Sequence, residues 1–475
     1  FMYMFNNTTW PTTPVIHPRL NSVEEWHFIN TNNDQHPIHV HVNNFQVMGT
    51  VDPVTGMNSS VQLHAYDNFN VPAPLLDSEE KATTPGEMTI RSRFEDFTGT
   101  FVTHCHRLDH EDNGLMMTIN VIPQVSTYAI TTQQGQGAAV VEVRDQANDT
   151  VVARVTPFPA SRGLPNVTMV DVDGDQVLDL LVGSGPGDRG EVVAFSGAGG
   201  SFTRELARFS VFEDGFRGGV NVAGGHIAGA PLASNIVVSS GPGRDNEVVV
   251  YSNELPGAPG SAPAVFSTFE PHPGQDGTTI AAGLTDPMGR VSIATAPTNG
   301  AAVRVFNYPL LTTDGGTHRH GDSHGGDGPQ LVTEFTAFDD YDGPMSLTTG
   351  WIAANEGGAE SIIVGQRSGQ GLVRSFSSGS QLTGQSGMYV ESFEHQMTVG
   401  FTPTMTFQPF GSGVTVATTS TTSGAKILTF GSEGGASAMK SFTVERSADD
   451  PTSLRAVRAG VVTFPGVGGG TVGGD

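Results

Sequence analysis

The first 123 residues alternate apolar and polar positions in short runs. Residues 24–30, 39–48, 88–92, 99–104 and 116–121 are rich in β-branched and aromatic side chains, and Pro, Gly, Asn and Asp separate them. No useful length there carries a helical period. This pattern predicts a Greek-key β-sandwich over residues 1–123, with alternate side chains facing the core.

Beyond residue 123 a period of roughly fifty residues sets in, in the range that signals propellers or solenoids. Its unit is an apolar strand, a small Gly/Pro/Ser turn and a second strand ending near an aromatic residue. Copies fall at residues 129–143, 180–195, 236–251, 291–306, 362–376 and 414–430. A third strand follows each, at 151–155, 206–212, 265–269, 332–338, 389–393 and 440–444, and a fourth opens the next unit, as at 220–223 and 279–282. The first unit lacks its opening strand, and 454–462 is the spare that supplies it. The whole chain is therefore expected to be all-β: a sandwich, then a six-bladed β-propeller over 124–464 closed by strand 454–462, then a Gly-rich tail at 465–475. Closing the ring removes the unpaired edges that open sheets expose.

A length of 475 residues fits two to three domains. Lys+Arg 23 against Asp+Glu 48 leaves a net charge of −25, which argues against nucleic acid and anionic lipid as partners. A single cysteine excludes an internal disulfide, and no apolar run reaches the length of a membrane span. The opening Phe1-Met-Tyr-Met-Phe5 reads as a strand already under way, with no signal segment, so an upstream segment is expected.

That one cysteine, Cys105, stands between His104 and His106, with His110 five residues on. A thiolate among imidazoles favours copper over zinc, which as a structural metal recruits several thiolates. In an extended strand His104 and His106 project to one face and Cys105 to the other. Upstream, His36-Pro-Ile-His39-Val-His41 offers a second set of imidazoles. Together the two segments resemble the third cupredoxin domain of the multicopper oxidases, the laccase and copper-efflux-oxidase family, whose motifs run His-Pro-x-His-x-His and His-Cys-His-x-x-x-His-x-x-x-x-axial. The resemblance covers about residues 1–123, including the approach Ser22-Val-Glu-Glu-Trp26.

The resemblance implies a type 1 copper on His36, Cys105 and His110, with Leu115 at the axial position and Met116 as the alternative through a one-residue loop shift. It implies a type 2 copper ligand at His39 and type 3 ligands at His41, His104 and His106. Cys105 and its two flanking histidines would carry electrons between the sites. Leu115 stands where many bacterial members have Met, which should raise the potential. Half of the family's trinuclear cluster comes from an N-terminal cupredoxin domain, so the remaining ligands are expected from a missing segment or another subunit. The implied activity is laccase-like: one-electron oxidation of a phenol or metal ion, coupled to reduction of O2 to water, in an extracellular or periplasmic setting.

Within the repeats, Asp171-Val-Asp173-Gly174-Asp175, followed by Asp179, resembles the calcium loops of FG-GAP, integrin-like propellers. Calcium is expected there on Asp171, Asp173, Asp175 and Asp179 as a structural staple. His318, His320 and His324 lie in a Gly-rich stretch that reads as a solvated loop. Two other function classes stay open: a single-copper electron-transfer module, and an extracellular adhesion or assembly propeller with a non-catalytic copper domain.

Overall fold

Strand-forming segments become hydrogen-bonded ladders throughout the described residues. The computed structural model describes residues 3–6, 9–10, 13, 16, 18, 20, 22–61, 64–95, 99–121, 127–134, 137–175, 177–227, 233–256, 261–283, 285, 291–308, 328–350, 352, 360–380, 388–391, 399–421, 424–433, 436–446, 454–464 and 467–473. Among them the structure is all-β, with a one-turn α-helix at Leu108–Glu111 and a 3-10 turn at Ala198–Gly200. His318, His320 and His324 lie outside the described residues.

The first part of the chain is built from two facing sheets. One has the order Met4–Phe5, Met388–Glu391, Val23–Asn30, Gly86–Arg93, Phe45–Val51, Asn58–Ser59, with Ala65–Tyr66 also paired to Phe45–Val51. The other runs Met116–Val121, Gly99–Cys105, His36–Val40, Asn68–Val71. Trp26, Phe28, Ile38, Val40, Phe45, Val47, Met88, Ile90, Leu115, Met117 and Ile119 form the buried core between them. Each such side chain contributes roughly 1.5–3 kcal/mol by leaving water. Met88 and Ile90 point inward while Arg91 and Arg93 point out, so the register of Gly86–Arg93 is fixed by burial.

Among the described residues six four-stranded antiparallel sheets follow. The second to fourth take their strands in chain order, beginning at Asn166–Val170, Val220–Gly225 and Thr278–Gly283. First strands lie side by side from sheet to sheet, continuing through Met345–Gly350 and Val414–Thr421 to Val467–Gly473, which lies against Asn166–Val170 again. Side chains stitch this seam. Asn166 Nδ2 donates to Val220 O at 3.0 Å, Asn221 Nδ2 to Thr278 O at 2.7 Å, Thr279 Oγ1 to Met345 O at 3.1 Å and Thr471 Oγ1 to Pro165 O at 3.1 Å.

Strand allocation differs from the sequence expectation in two linked places. Residues 389–391, expected as the third strand of the fifth unit, instead form Met388–Glu391 in the sandwich, and Val399–Phe407 takes the vacated outer position. Every later strand then moves up by one. Leu454–Phe464 becomes the outer strand of the sixth sheet, against Ala436–Arg446, and among the described residues it forms no ladder with the first sheet. Val467–Gly473, expected to be a tail, pairs with Thr127–Gln134 and supplies the first sheet's missing strand.

Each junction between neighbouring sheets is bridged by a cation set against the strand end of the preceding sheet. Arg208, Arg244, Arg374 and Lys440 lie over Phe158, Phe212, Phe338 and Phe410 at 5.8, 4.4, 5.3 and 4.4 Å, and Arg144 lies over Phe464 at 5.4 Å. At the remaining junction Arg304 donates to Pro271 O at 2.8 Å, and the neighbouring residue is His272 in place of an aromatic hydrocarbon ring.

His272 is buried, with Nε2 3.0 Å from Thr295 Oγ1, and burial, aided by the Arg304 charge, pushes its pKa down to about 4. A histidine held neutral in the fold takes up a proton more readily once unfolded. Stability is therefore full above the unfolded value of about 6.5 and is lost as pH falls from there toward about 4, by up to ~3 kcal/mol. His272→Phe should flatten this acid limb: between pH 7.5 and pH 5 the melting temperature of the variant should fall less than that of the parent. Equal falls would refute the assignment.

Candidate metal centre

Two ligand clusters sit back to back across one sheet. The strands His36–Val40 and Gly99–Cys105 pair with His104 opposite His39 and Cys105 opposite Ile38. Alternation then sends His36, Ile38 and Cys105 into the sandwich core and His39 and His104 to the other face.

On the core side, the one-turn helix Leu108–Glu111 folds the chain back so that His110 returns to Cys105. The turn is closed by His110 N–H to Arg107 O and Leu115 N–H to His110 O, each at 3.0 Å. Cys105 Sγ lies 3.7 Å from His36 Nδ1 and 3.6 Å from His110 Nδ1, and the two Nδ1 atoms are 3.0 Å apart. A three-coordinate ion with metal–nitrogen and metal–sulfur bonds of about 2.05 and 2.3 Å would span sulfur–nitrogen edges of about 3.8 Å at 120°. The observed sulfur–nitrogen edges match within a few tenths of an ångström and the nitrogen–nitrogen edge is about half an ångström short of the ~3.5 Å such bonds would span, so the donor set fits one metal ion once the two imidazoles part slightly.

Burial shapes the electrostatics of this triad. It pushes His36 down to about 3, with the His110 charge adding, lowers His110, and pushes the Cys105 thiol up to about 11. All three groups are thereby neutral until a cation arrives to favour the thiolate. At the outer edge His110 Nε2 lies 3.7 Å from both Asp34 Oδ2 and Asp109 Oδ2, and Arg107 spans these carboxylates at 2.8 and 3.7 Å.

Leu115 is fully buried, and its carbonyl accepts the Cys105 N–H at 3.0 Å, which sets its side chain on the Cys105 face. Met116 pairs with His104 and shares that opposite face. The loop shift that would carry Met116 to Cys105 is not adopted, since it would turn Met117 and Ile119 out of the core.

On the other face His39, His41 and His104 bring ring nitrogens within 4.8 Å of one another, with His41 Nε2 3.1 Å from His104 Nε2. The His106 ring lies 5.4 Å from His39 and 5.9 Å from His104, centroid to centroid. His39 Nδ1 is 2.7 Å from Asp67 O and His104 Nδ1 3.0 Å from Cys105 O, which leaves Nε2 as the ring nitrogen of each not engaged by a backbone carbonyl. His41 and His106 are exposed, so this cluster opens to one side.

In the second sheet of the repeat region Asp171, Asp173 and Asp179 converge, each offering an oxygen within 4.8 Å of the others. Asp175, expected with them, stands outside this group: its Oδ1 accepts the Val177 N–H at 2.9 Å and caps the turn. Asp179 is buried, accepts the Val172 and Gly197 N–H groups at 2.9 Å each, and is pushed up to about 7, chiefly by burial.

Sequence reasoning missed Tyr3, whose ring stacks on His110 with centroids 4.0 Å apart. It carries no spacing motif that ties it to residues more than a hundred positions away.

Residues 1–125 match the family model described as multicopper oxidase. Over this part the chain is 33% identical to a laccase of Bacillus stratosphericus across 123 residues, 25% of this chain and 24% of that protein. It is 32% identical to a laccase of Haloferax volcanii across 142 residues, 29% of this chain and 22% of that one. A solved multicopper oxidase from Campylobacter jejuni, described as a metallo-oxidase, is 26% identical over 25% of this chain and 22% of its own, with a TM-score of 0.20. The chain spans about a quarter of the length of the laccases it matches. Its N-terminal part thus carries a multicopper oxidase domain, and copper is the metal that family implies.

Proposed function

We propose that this chain is part of a laccase-like multicopper oxidase that draws single electrons from a phenol or metal ion and delivers them to O2, forming water. Copper, when bound, supplies the one-electron redox chemistry that neither thiol nor imidazole has alone. The observation that carries the reading is the back-to-back arrangement: one strand presents the Cys105 sulfur to one cluster and His104 to the other, and His106, just past the strand end, lies beside that second cluster. The backbone between them is a covalent path.

His36 Nδ1, Cys105 Sγ and His110 Nδ1 would hold the type 1 ion, and the fully buried Leu115 on the Cys105 face would offer it an apolar neighbour in place of a thioether, which would disfavour the more charged oxidation state and raise the potential. His39 serves the type 2 ion and His41, His104 and His106 the type 3 pair. The open side of that cluster takes its remaining imidazoles from an N-terminal cupredoxin domain on another segment or subunit. An extracellular or periplasmic setting goes with this chemistry. The cyclic adjacency of the first strands and the repeated cation bridges favour a six-bladed β-propeller for the second part, with Asp171, Asp173 and Asp179 holding a structural calcium.

Metal analysis of the native assembly tests these assignments together. About four coppers for each Cys105, with a magnetically coupled pair, and calcium retained after mild chelation, are expected. One copper would reduce the protein to an electron carrier, and none would leave the repeat region as the functional part.

A further inference from the structure

We infer that Tyr3 is a positioning residue and access cover for the His36–Cys105–His110 centre, held in place by a strand from the second half of the chain. This purpose rests on the copper reading above. Tyr3 lies nearly parallel to His110, with 23° between the planes, and meets His36 edge-on at 6.0 Å. Both imidazoles aim Nδ1 at Cys105 Sγ, so a ring lying across the pair limits their rotation. The same ring closes an approach to the fully buried thiol.

Three features fix Tyr3 there. Its N–H donates to Asn113 O at 3.0 Å, in the loop that follows His110, and the Trp10 N–H donates to Gly114 O at 3.0 Å. Gly114 has φ +102°, and a Cβ there would come 2.8 Å from Thr9 Cβ and 3.3 Å from Tyr3 O, so glycine is what lets the segment lie this close.

The third feature comes from far along the chain. Met4–Phe5, which follows Tyr3 directly, has Met388–Glu391 as its ladder partner among the described residues. That strand is inserted between Met4–Phe5 and Val23–Asn30, with Val390 paired to Phe5 on one side and Asn30 on the other. It leaves the fifth sheet between Val373–Ser380 and Val399–Phe407 to do so. The second half of the chain therefore clips the cover over the centre.

The sole cysteine makes a direct test available in metal-free protein: the rate at which Cys105 reacts with a small aromatic disulfide reagent. Tyr3→Phe keeps the stacked ring and should react at the parental rate. Tyr3→Ala should react at least ~10-fold faster, as should Val390→Pro, which loses the N–H of the doubly paired residue, and Gly114→Ala, which pushes the segment away. Parental rates in Tyr3→Ala would overturn the cover, and a fast Tyr3→Phe would overturn the role of the stacked ring. A slow Val390→Pro beside a fast Tyr3→Ala would overturn the clip. In copper-loaded protein the long-wavelength absorption should shift in Tyr3→Ala and not in Tyr3→Phe. Parental protein that binds copper without any such absorption, while the labelling rates hold, would sink the copper reading and leave the cover standing.

Discussion

Cys105→Ser should remove the long-wavelength thiolate-to-copper absorption, weaken metal retention between His36 and His110 by more than about 100-fold, and abolish O2 consumption. Groups that only support a ligand cost 10- to 100-fold when removed, and in the proposed centre Cys105 is itself a donor. A serine hydroxyl is a hard, weakly acidic oxygen that does not replace a soft thiolate for copper. Because this is the chain's one cysteine, no other thiol can compensate. Its Sγ lies within 3.7 Å of both opposing Nδ1 atoms, so the variant leaves a two-nitrogen site in a dry pocket. The imidazoles of His39, His41, His104 and His106 stay in place, and copper bound there should persist. Absorption retained in Cys105→Ser would show that the thiol is not a ligand.

Truncation after Phe464 should destroy the repeat region's cooperative unfolding. Read as a Gly-rich tail, residues 465–475 would be dispensable, so the outcome separates that reading from the observed pairing. Val467–Gly473 forms a ladder with Thr127–Gln134 and buries Val467 and Val472 among Tyr128, Ile130, Leu428 and Phe430. Two buried valines contribute about 3–5 kcal/mol. The apolar surfaces they cover on the first and sixth sheets add to that, bringing the loss near the 5–15 kcal/mol stability of an ordinary domain. The shortened chain should also expose the Thr127–Gln134 edge and aggregate. A truncated protein that melts at the parental temperature would refute the closing role. Scanning calorimetry measures both.

Most of the candidate site was legible because its information is local. His36, His39 and His41 lie within one strand and its end, as do His104, Cys105 and His106, and the two-residue alternation of a strand assigns each to a face without reference to the rest of the molecule. His110 and Leu115 follow from a short turn. The carboxylate cluster of the repeat region was legible only in part: Asp171, Asp173 and Asp179 converge, whereas Asp175 has a local N–H to cap and turns to it. Repeats in the second half were visible through their apolar strands, and the count of six sheets follows from the same periodicity.

Allocation of equivalent strands was not legible, and the reason is steric. Residues 454–462 contain a single glycine, whereas Val467-Gly-Gly-Gly-Thr-Val-Gly473 has four in seven positions, and glycine is depleted in strands. Yet the first sheet's missing strand must run where first strands crowd together. A Cβ on Gly470 would come 2.4 Å from Phe430 Cζ, and one on Gly473 2.3 Å from Val167 O. Glycine is selected there by closeness, against its own strand propensity.

The sequence by itself determined the all-β class, the two sets of candidate ligand side chains and their placement on opposite faces of one strand, because spacing within a strand is a covalent property of the chain. Only the tertiary structure decided that Val467–Gly473 completes the first sheet, that Met388–Glu391 leaves the fifth sheet for the sandwich, and that Tyr3 therefore rests on His110. Those pairings join residues hundreds of positions apart, and what selects them is the fit of surfaces that exist only once the sheets have formed.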